Sequence, residues 1–195
     1  MKLILKRYLI RIPDGIDIFY CEKKQLLVVK KKLYKKIIKL KVKLIVLKDK
    51  KIIIITNSLF NKTSNKWKNL NKSFQGSTVM SIKQALIDVN IATCQKLKLV
   101  GVGYKVFELQ LKQNGFVTNF LHFKLGYSHS VYCKIPKELI VKTYQSTQLF
   151  IFGNSFKKVS QFVSVIRSLK LPEPYKGKGI LYSNEIIKLK EGKKV

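Results

Sequence analysis

The 195-residue chain is poor in acid: 10 Asp and Glu stand against 40 Lys and Arg, a formal charge of +30. Arginine is nearly missing as well, with three against 37 lysines, and alanine (two) and proline (four) are scarce. Long apolar runs are absent. No pure one is longer than Ile52 to Ile55, far below the 18 or so residues a membrane-spanning helix needs. The N-terminal MKLILKRYLIRIPDG is broken by Lys6 and Arg7, so it has no secretory apolar core, and no Arg- and Ser-rich presequence is visible. Three cysteines, Cys21, Cys94 and Cys133, are widely spaced and include no C-x-x-C pair. That excludes a disulfide framework and a zinc ribbon and predicts reduced, buried thiols.

Hydrophobic residues make up 46% and aromatics 11%, enough to fold one or two domains with real cores, so disorder throughout is excluded. Thirty uncompensated charges repel one another unless an anionic surface neutralises them, and nucleic acid is the leading partner. Lysine contacts phosphate as a point charge, whereas groove reading favours the arginine fork, so backbone binding is expected over sequence readout. Rare Arg, Ala and Pro beside abundant Ile, Asn and Lys is also the bias of an AT-rich gene, which discounts the Lys-for-Arg argument. The charge is shared: residues 1–95 carry 22 basic and 5 acidic side chains (+17), and residues 96–195 carry 18 and 5 (+13).

Arg11 to Ile16 reads as a strand end running into a turn through Pro13 and Gly15. Lys39 to Leu47 alternates as one strand, with Lys39, Lys41 and Lys43 on a wet or phosphate-facing side and Leu40, Val42, Leu44 and Val46 opposite. Lys51 to Thr56 returns as a hairpin arm. Residues 57–72, Asn- and Lys-rich without a period, are expected to form a loop insertion that Trp67 anchors to its own domain. Val79, Ile82, Leu86 and Val89 predict a helix over 78–94 capped by Ser77 or Thr78. Phe156, Val159, Val163 and Ile166 predict another over 155–170.

Between these helices, Lys98 to Glu108 reads as a strand turning at Gln113, Asn114 and Gly115 and returning through Phe116 to Leu125. Val131 to Ile135, Leu139 to Tyr144 and Gln148 to Phe152 are further short strands. The repeated order predicts an α+β protein of two tandem related domains, each a small, mostly antiparallel sheet packed on one helix, followed by a basic C-terminal extension. The boundaries are 1–95, 96–170 and an extended RNA-binding tail over 171–195.

Leu171 to Tyr182 (LPEPYKGKGILY) is the segment richest in recognition chemistry. Two prolines stop a helix, the glycines let backbone amides approach phosphate, and Lys176 and Lys178 supply charge beside Tyr175. It is no P-loop, because G-x-x-x-x-G-K-[ST] is missing. Gly101-Val-Gly103 fails as a dinucleotide fingerprint, with Val106 in place of the third glycine and a strand following it. His122 and His129, the two histidines, have no Asp or Cys partner at a useful spacing, and no serine sits in a nucleophile elbow. No catalytic, metal or cofactor site is expected, and an enzyme is not.

Three motifs in order, LVGVGYKV (99–106), LGYSHSV (125–131) and PEPYKGKGILY (172–182), closely resemble the ribosomal protein L6 family, a universal family of the large subunit. The resemblance covers residues 76–195, and Arg11 to Ile16 extends it weakly into the first half. Lys30, Lys31 and Lys32 stand where the family has a glycine-containing turn, Ser130 replaces a proline, Leu181 replaces an arginine, and the Trp67 loop has no clear counterpart.

The resemblance implies a structural constituent of the large subunit. It would bind large-subunit rRNA near the sarcin-ricin loop at the stalk base, beside neighbouring ribosomal proteins and translational GTPase factors. Carried onto matching positions, Tyr175, Lys176, Gly177, Lys178 and Gly179 would lie on RNA, with Arg167 and Lys170 nearby. Lys188, Lys190, Lys193 and Lys194 would be tail phosphate contacts, and Tyr127, Ser128 and His129 further candidates. The rivals are a free RNA or DNA chaperone and, lacking a bulky basic amphipathic helix, a peripheral membrane protein. The AT bias points to a mitochondrial ribosome, with plastid or bacterial cytoplasm as alternatives.

Overall fold

The computed structural model describes residues 8–32, 34–47, 49–59, 68–113 and 116–192. They belong to two compact units that divide between Ile91 and Ala92.

In the first unit, β1 (Leu9–Arg11) is followed by the meander β2 (Asp17–Cys21), β3 (Leu26–Lys31) and β4 (Tyr34–Lys39). The hairpin β5 (Val42–Leu47) and β6 (Ile52–Leu59) and the helix α1 (Lys68–Asn90) complete it. Every pairing is antiparallel, in the orders β2-β3-β4 and β1-β6-β5. Period-two alternation sends Leu27 and Val29 inward from β3 and Ile53 and Ile55 inward from β6. The helix covers them with Val79, Ile82, Ala85, Leu86 and Val89.

The second unit repeats this plan. β7 (Thr93–Val100) precedes the meander β8 (Lys105–Gln113), β9 (Phe116–Lys124) and β10 (Val131–Lys134). The hairpin β11 (Leu139–Tyr144) and β12 (Gln148–Gly153), the helix α2 (Phe156–Leu169) and a further strand β13 (Gly179–Tyr182) follow. β12 pairs β7 just as β6 pairs β1, so strand order carries the duplication that residue alignment by eye does not. Val159, Phe162, Val163 and Ile166 of α2 share one core with Leu97, Leu121, Phe123, Leu149, Ile151 and Ile180. Two α+β units in tandem, each with antiparallel sheets on one helix, are as the sequence predicts.

Several expectations are corrected. α1 begins at Lys68, ten residues before the predicted start. Ser77 and Thr78 are therefore mid-helix, and their hydroxyls donate to the Phe74 and Gln75 carbonyls at 3.0 and 2.8 Å rather than capping. The helix ends at Asn90, and Cys94 lies in β7. Of the predicted 57–72 loop, 57–59 close β6 and 68–72 open α1; 60–67, with Trp67, lie outside the described residues, as does the turn at Asn114 and Gly115.

Lys39 to Leu47 is not one strand, because β4 stops at Lys39 and the Leu40 amide donates to the Gln25 carbonyl at 2.8 Å. Lys98 to Glu108 is split by a turn in which Gly101 (φ +153) packs against the Tyr104 ring. A Cβ there would lie 2.8 Å from Tyr104 Cδ2. Phe156, expected in the buried stripe, is half exposed, and Phe162 is buried instead. Cys21 and Cys94 are exposed, contrary to expectation, and Cys133 is half-buried, its thiol pushed up by burial.

Candidate nucleic-acid interface

The segment expected as an extended tail begins inside the fold. Its strand β13 runs antiparallel to β7 from Gly179↔Val100 to Tyr182↔Leu97, with Ile180 and Leu181 buried. Burying those two side chains anchors the strand, and the preceding prolines can only form a loop. That loop is closed at its neck: the Glu173 amide donates to the Lys178 carbonyl and the Gly177 amide to the Glu173 carbonyl, both at 2.9 Å. Gly177 sits at φ +67, the left-handed region glycine favours. Its amide is engaged in that hydrogen bond within the loop. Tyr175 and Lys176 on the tip are exposed.

Gly179, at φ +152, faces Pro172 so closely that a Cβ would lie 2.6 Å from Pro172 Cα. The Ile180 amide donates to the Lys170 carbonyl at 2.9 Å, which fixes the loop against the end of α2. Beyond β13, the Lys190 amide donates to the Pro174 carbonyl at 3.0 Å, bringing the later chain back beside the loop. Lys188 and Lys190 are exposed there, and Lys193 and Lys194 lie outside the described residues.

The segment after β9 reaches the same place. Tyr127 Oη donates to the Leu169 carbonyl at 3.0 Å, satisfying an acceptor that the end of α2 leaves open. Lys170 Nζ lies 4.3 Å from the centroid of the Tyr127 ring, and His129 stacks on that ring at 5.6 Å and 15°. Tyr104, Tyr127, Lys170, Leu171, Glu173 and Lys178 line one groove of about 450 Å³. Tyr127, Lys170 and Lys178, chosen from separate motifs, thus share a surface. Ser128 is exposed next to Tyr127.

Arg167 is engaged within the chain. Its Nε and Nη2 donate to the two Glu185 carboxylate oxygens at 3.1 and 2.6 Å, and its guanidinium lies 5.5 Å from the Tyr182 ring centroid. The hydrogen bond from Arg167 holds the Glu185 carboxyl below its ordinary range, helped by the Tyr182 amide, and the same pair raises Arg167. This fork ties α2 to the chain after β13. Sequence reasoning missed Tyr104, Glu173 and Glu185. No local spacing marks a partner 18 residues away, although Tyr104 lies inside the LVGVGYKV motif.

No group of three or more metal-ligating side chains occurs among the described residues, and no described helix is long and apolar enough to cross a membrane. A family model described as Ribosomal protein L6 matches residues 100–183, from the end of β7 past β13. The chain is similar to large ribosomal subunit protein uL6 of Malacoplasma penetrans, 47% identical over 122 residues, which span 63% of this chain and 62% of that protein. The match therefore leaves more than a third of that relative's length uncovered. The corresponding protein of Chloroherpeton thalassium is 38% identical over 122 residues, 63% of this chain and 64% of its own. That of Mycoplasma genitalium is 37% identical over 140 residues, 72% of each chain. Identity at that level across nearly three quarters of both chains places the chain in the ribosomal protein L6 family.

Proposed function

We propose that the chain is a structural constituent of the large ribosomal subunit. On this reading it is held on large-subunit rRNA by the 173–178 loop, the Tyr127–Lys170–Lys178 groove and the lysines after β13. The observation that carries the reading is the convergence of Tyr127, Lys170 and Lys178 on one groove beside the exposed Tyr175 and Lys176 tip, in a chain of charge +30. Such a surface grips phosphate and the shape of an RNA helix and reads little sequence. Its affinity comes from counterion release over many contacts. Arg167 serves by bracing the chain after β13 through Glu185.

The finer placement follows the resemblance: near the sarcin-ricin loop at the stalk base, beside neighbouring ribosomal proteins and the docking site of GTPase factors. The role is one of holding RNA geometry, with no catalysis. The relatives named above are bacterial, which supports the bacterial-cytoplasm alternative; the mitochondrial reading rests on composition alone.

Chemical footprinting of large-subunit rRNA with and without the protein tests this. Protection confined to a few helices that include the sarcin-ricin region is expected. Weak protection spread over the whole RNA would overturn the placement and favour a general RNA chaperone.

A further inference from the structure

We infer that the outer face of the β8-β9-β10 sheet is a second nucleic-acid surface, an aromatic platform for unstacked bases of single-stranded RNA. Strand register places Phe107 opposite His122 and His122 opposite Tyr132, so three rings form one row across three adjacent strands. Their neighbours in sequence, Val106, Leu121 and Phe123, point the other way into the core, which leaves the ring row outward. His122 and Tyr132 are stacked with centroids 5.0 Å apart and planes within 16°, and Phe107 follows at 6.0 Å and 31°. Tyr132 is 60% exposed and Phe107 39%.

Lysines flank the row on both sides. Two residues along the strands in one direction Lys105 faces Lys124, and two residues in the other Lys134 shares its row with Phe120 and Leu109. None of these lysines enters an ion pair among the described residues. Rings that stack bases, bordered by cations within about 7 Å that take phosphates, are the two components of a single-strand site.

The corresponding row of the first unit runs Phe19, Val28, Ile37, which is apolar but has one ring and so offers no stack. Outward apolar residues are thus common to both meanders, and the three-ring row with its stacked His122–Tyr132 pair belongs to the second. A protein docking on this strip would have to accommodate three unneutralised lysines, whereas RNA meets them with phosphates. The platform lies on a different sheet from β13 and is independent of the ribosomal reading, sharing with it only the polyanionic partner.

The test is titration of the full chain with a short single-stranded oligoadenylate, following affinity by anisotropy and the two imidazoles by proton NMR, with His129→Gln assigning them. The His122 ring signals should move upfield under the base ring current. Tyr132→Ala and Phe107→Ala should each weaken binding about five-fold or more, and Tyr132→Phe should restore it. A Lys176→Gln/Lys178→Gln variant should keep the His122 shift at saturation, which separates this surface from the loop. Unmoved His122 signals at saturation, or wild-type affinity in Tyr132→Ala, would overturn the platform and leave the strip to a protein partner.

Discussion

At Gly179 one missing Cβ decides how the 173–178 loop meets β13. With φ at +152 and Pro172 Cα 2.6 Å from where a Cβ would stand, Gly179→Ala must displace backbone rather than a flexible side-chain end. A loss of about 2–3 kcal/mol in chemical denaturation is expected, and an unchanged midpoint would contradict the packing. Glu185 acts at the same scale through charge. Its carboxyl is held below its ordinary range in the folded chain by Arg167, so its contribution is complete above the ordinary glutamate value of 4.5 and lost as pH falls through the lower folded one. Wild type should exceed Glu185→Gln by about 1 kcal/mol at neutral pH, with the gap closing as acid takes the pH below the ordinary carboxylate range. A gap that persisted in acid would assign the effect to packing. The PEPYKGKG loop and the GYSH segment were legible from residue type because glycine, proline and lysine announce their conformations and charge. Glu185 was not, since a lone acid after a turn looks like any solvated side chain until the fold brings Arg167 to it.

Among the elements, the buried stripes of both helices were legible from periodicity, and their ends were not. Lys68 to Phe74 joins α1 although the Asn-rich stretch shows no period, because Phe74 and Gln75 dock on the first core and extend the helix toward its N-terminus. Gln75 Nε2 donates to the Thr56 carbonyl at 2.7 Å and secures that extension to β6. Gly76 sits inside this helix with nothing within 4 Å of a built Cβ. Gly76→Ala should therefore stabilise by about 0.5–1 kcal/mol, a rise in Tm of about 1–4 °C, readable by thermal melting. A fall in Tm would mean that the helix is not continuous through residue 76. Alternation likewise predicted strands within a residue or two where both ends carry turn residues, as for Leu139–Tyr144. It ran β4 into β5, and β7 into β8, because a bend or a glycine turn does not interrupt alternation. The pairing of β13 with β7 joins segments about eighty residues apart, which no local pattern reports.

For the whole molecule, charge was the most legible property and geometry the least. The +30 names a polyanion, yet only the folded second unit shows that Tyr127, Lys170 and Lys178 line one groove. Neutralising Lys176 and Lys178 to glutamine should weaken rRNA binding and flatten the log-affinity against log-salt slope by up to about two units. Wild-type affinity and slope would remove the loop from the interface. The central claim, residence on the large ribosomal subunit, is tested most directly by sedimenting a lysate of the source cells through sucrose at low and moderate salt and following this protein across the gradient. The account predicts co-sedimentation with the large subunit that survives moderate salt. Recovery only in the light fractions would contradict it.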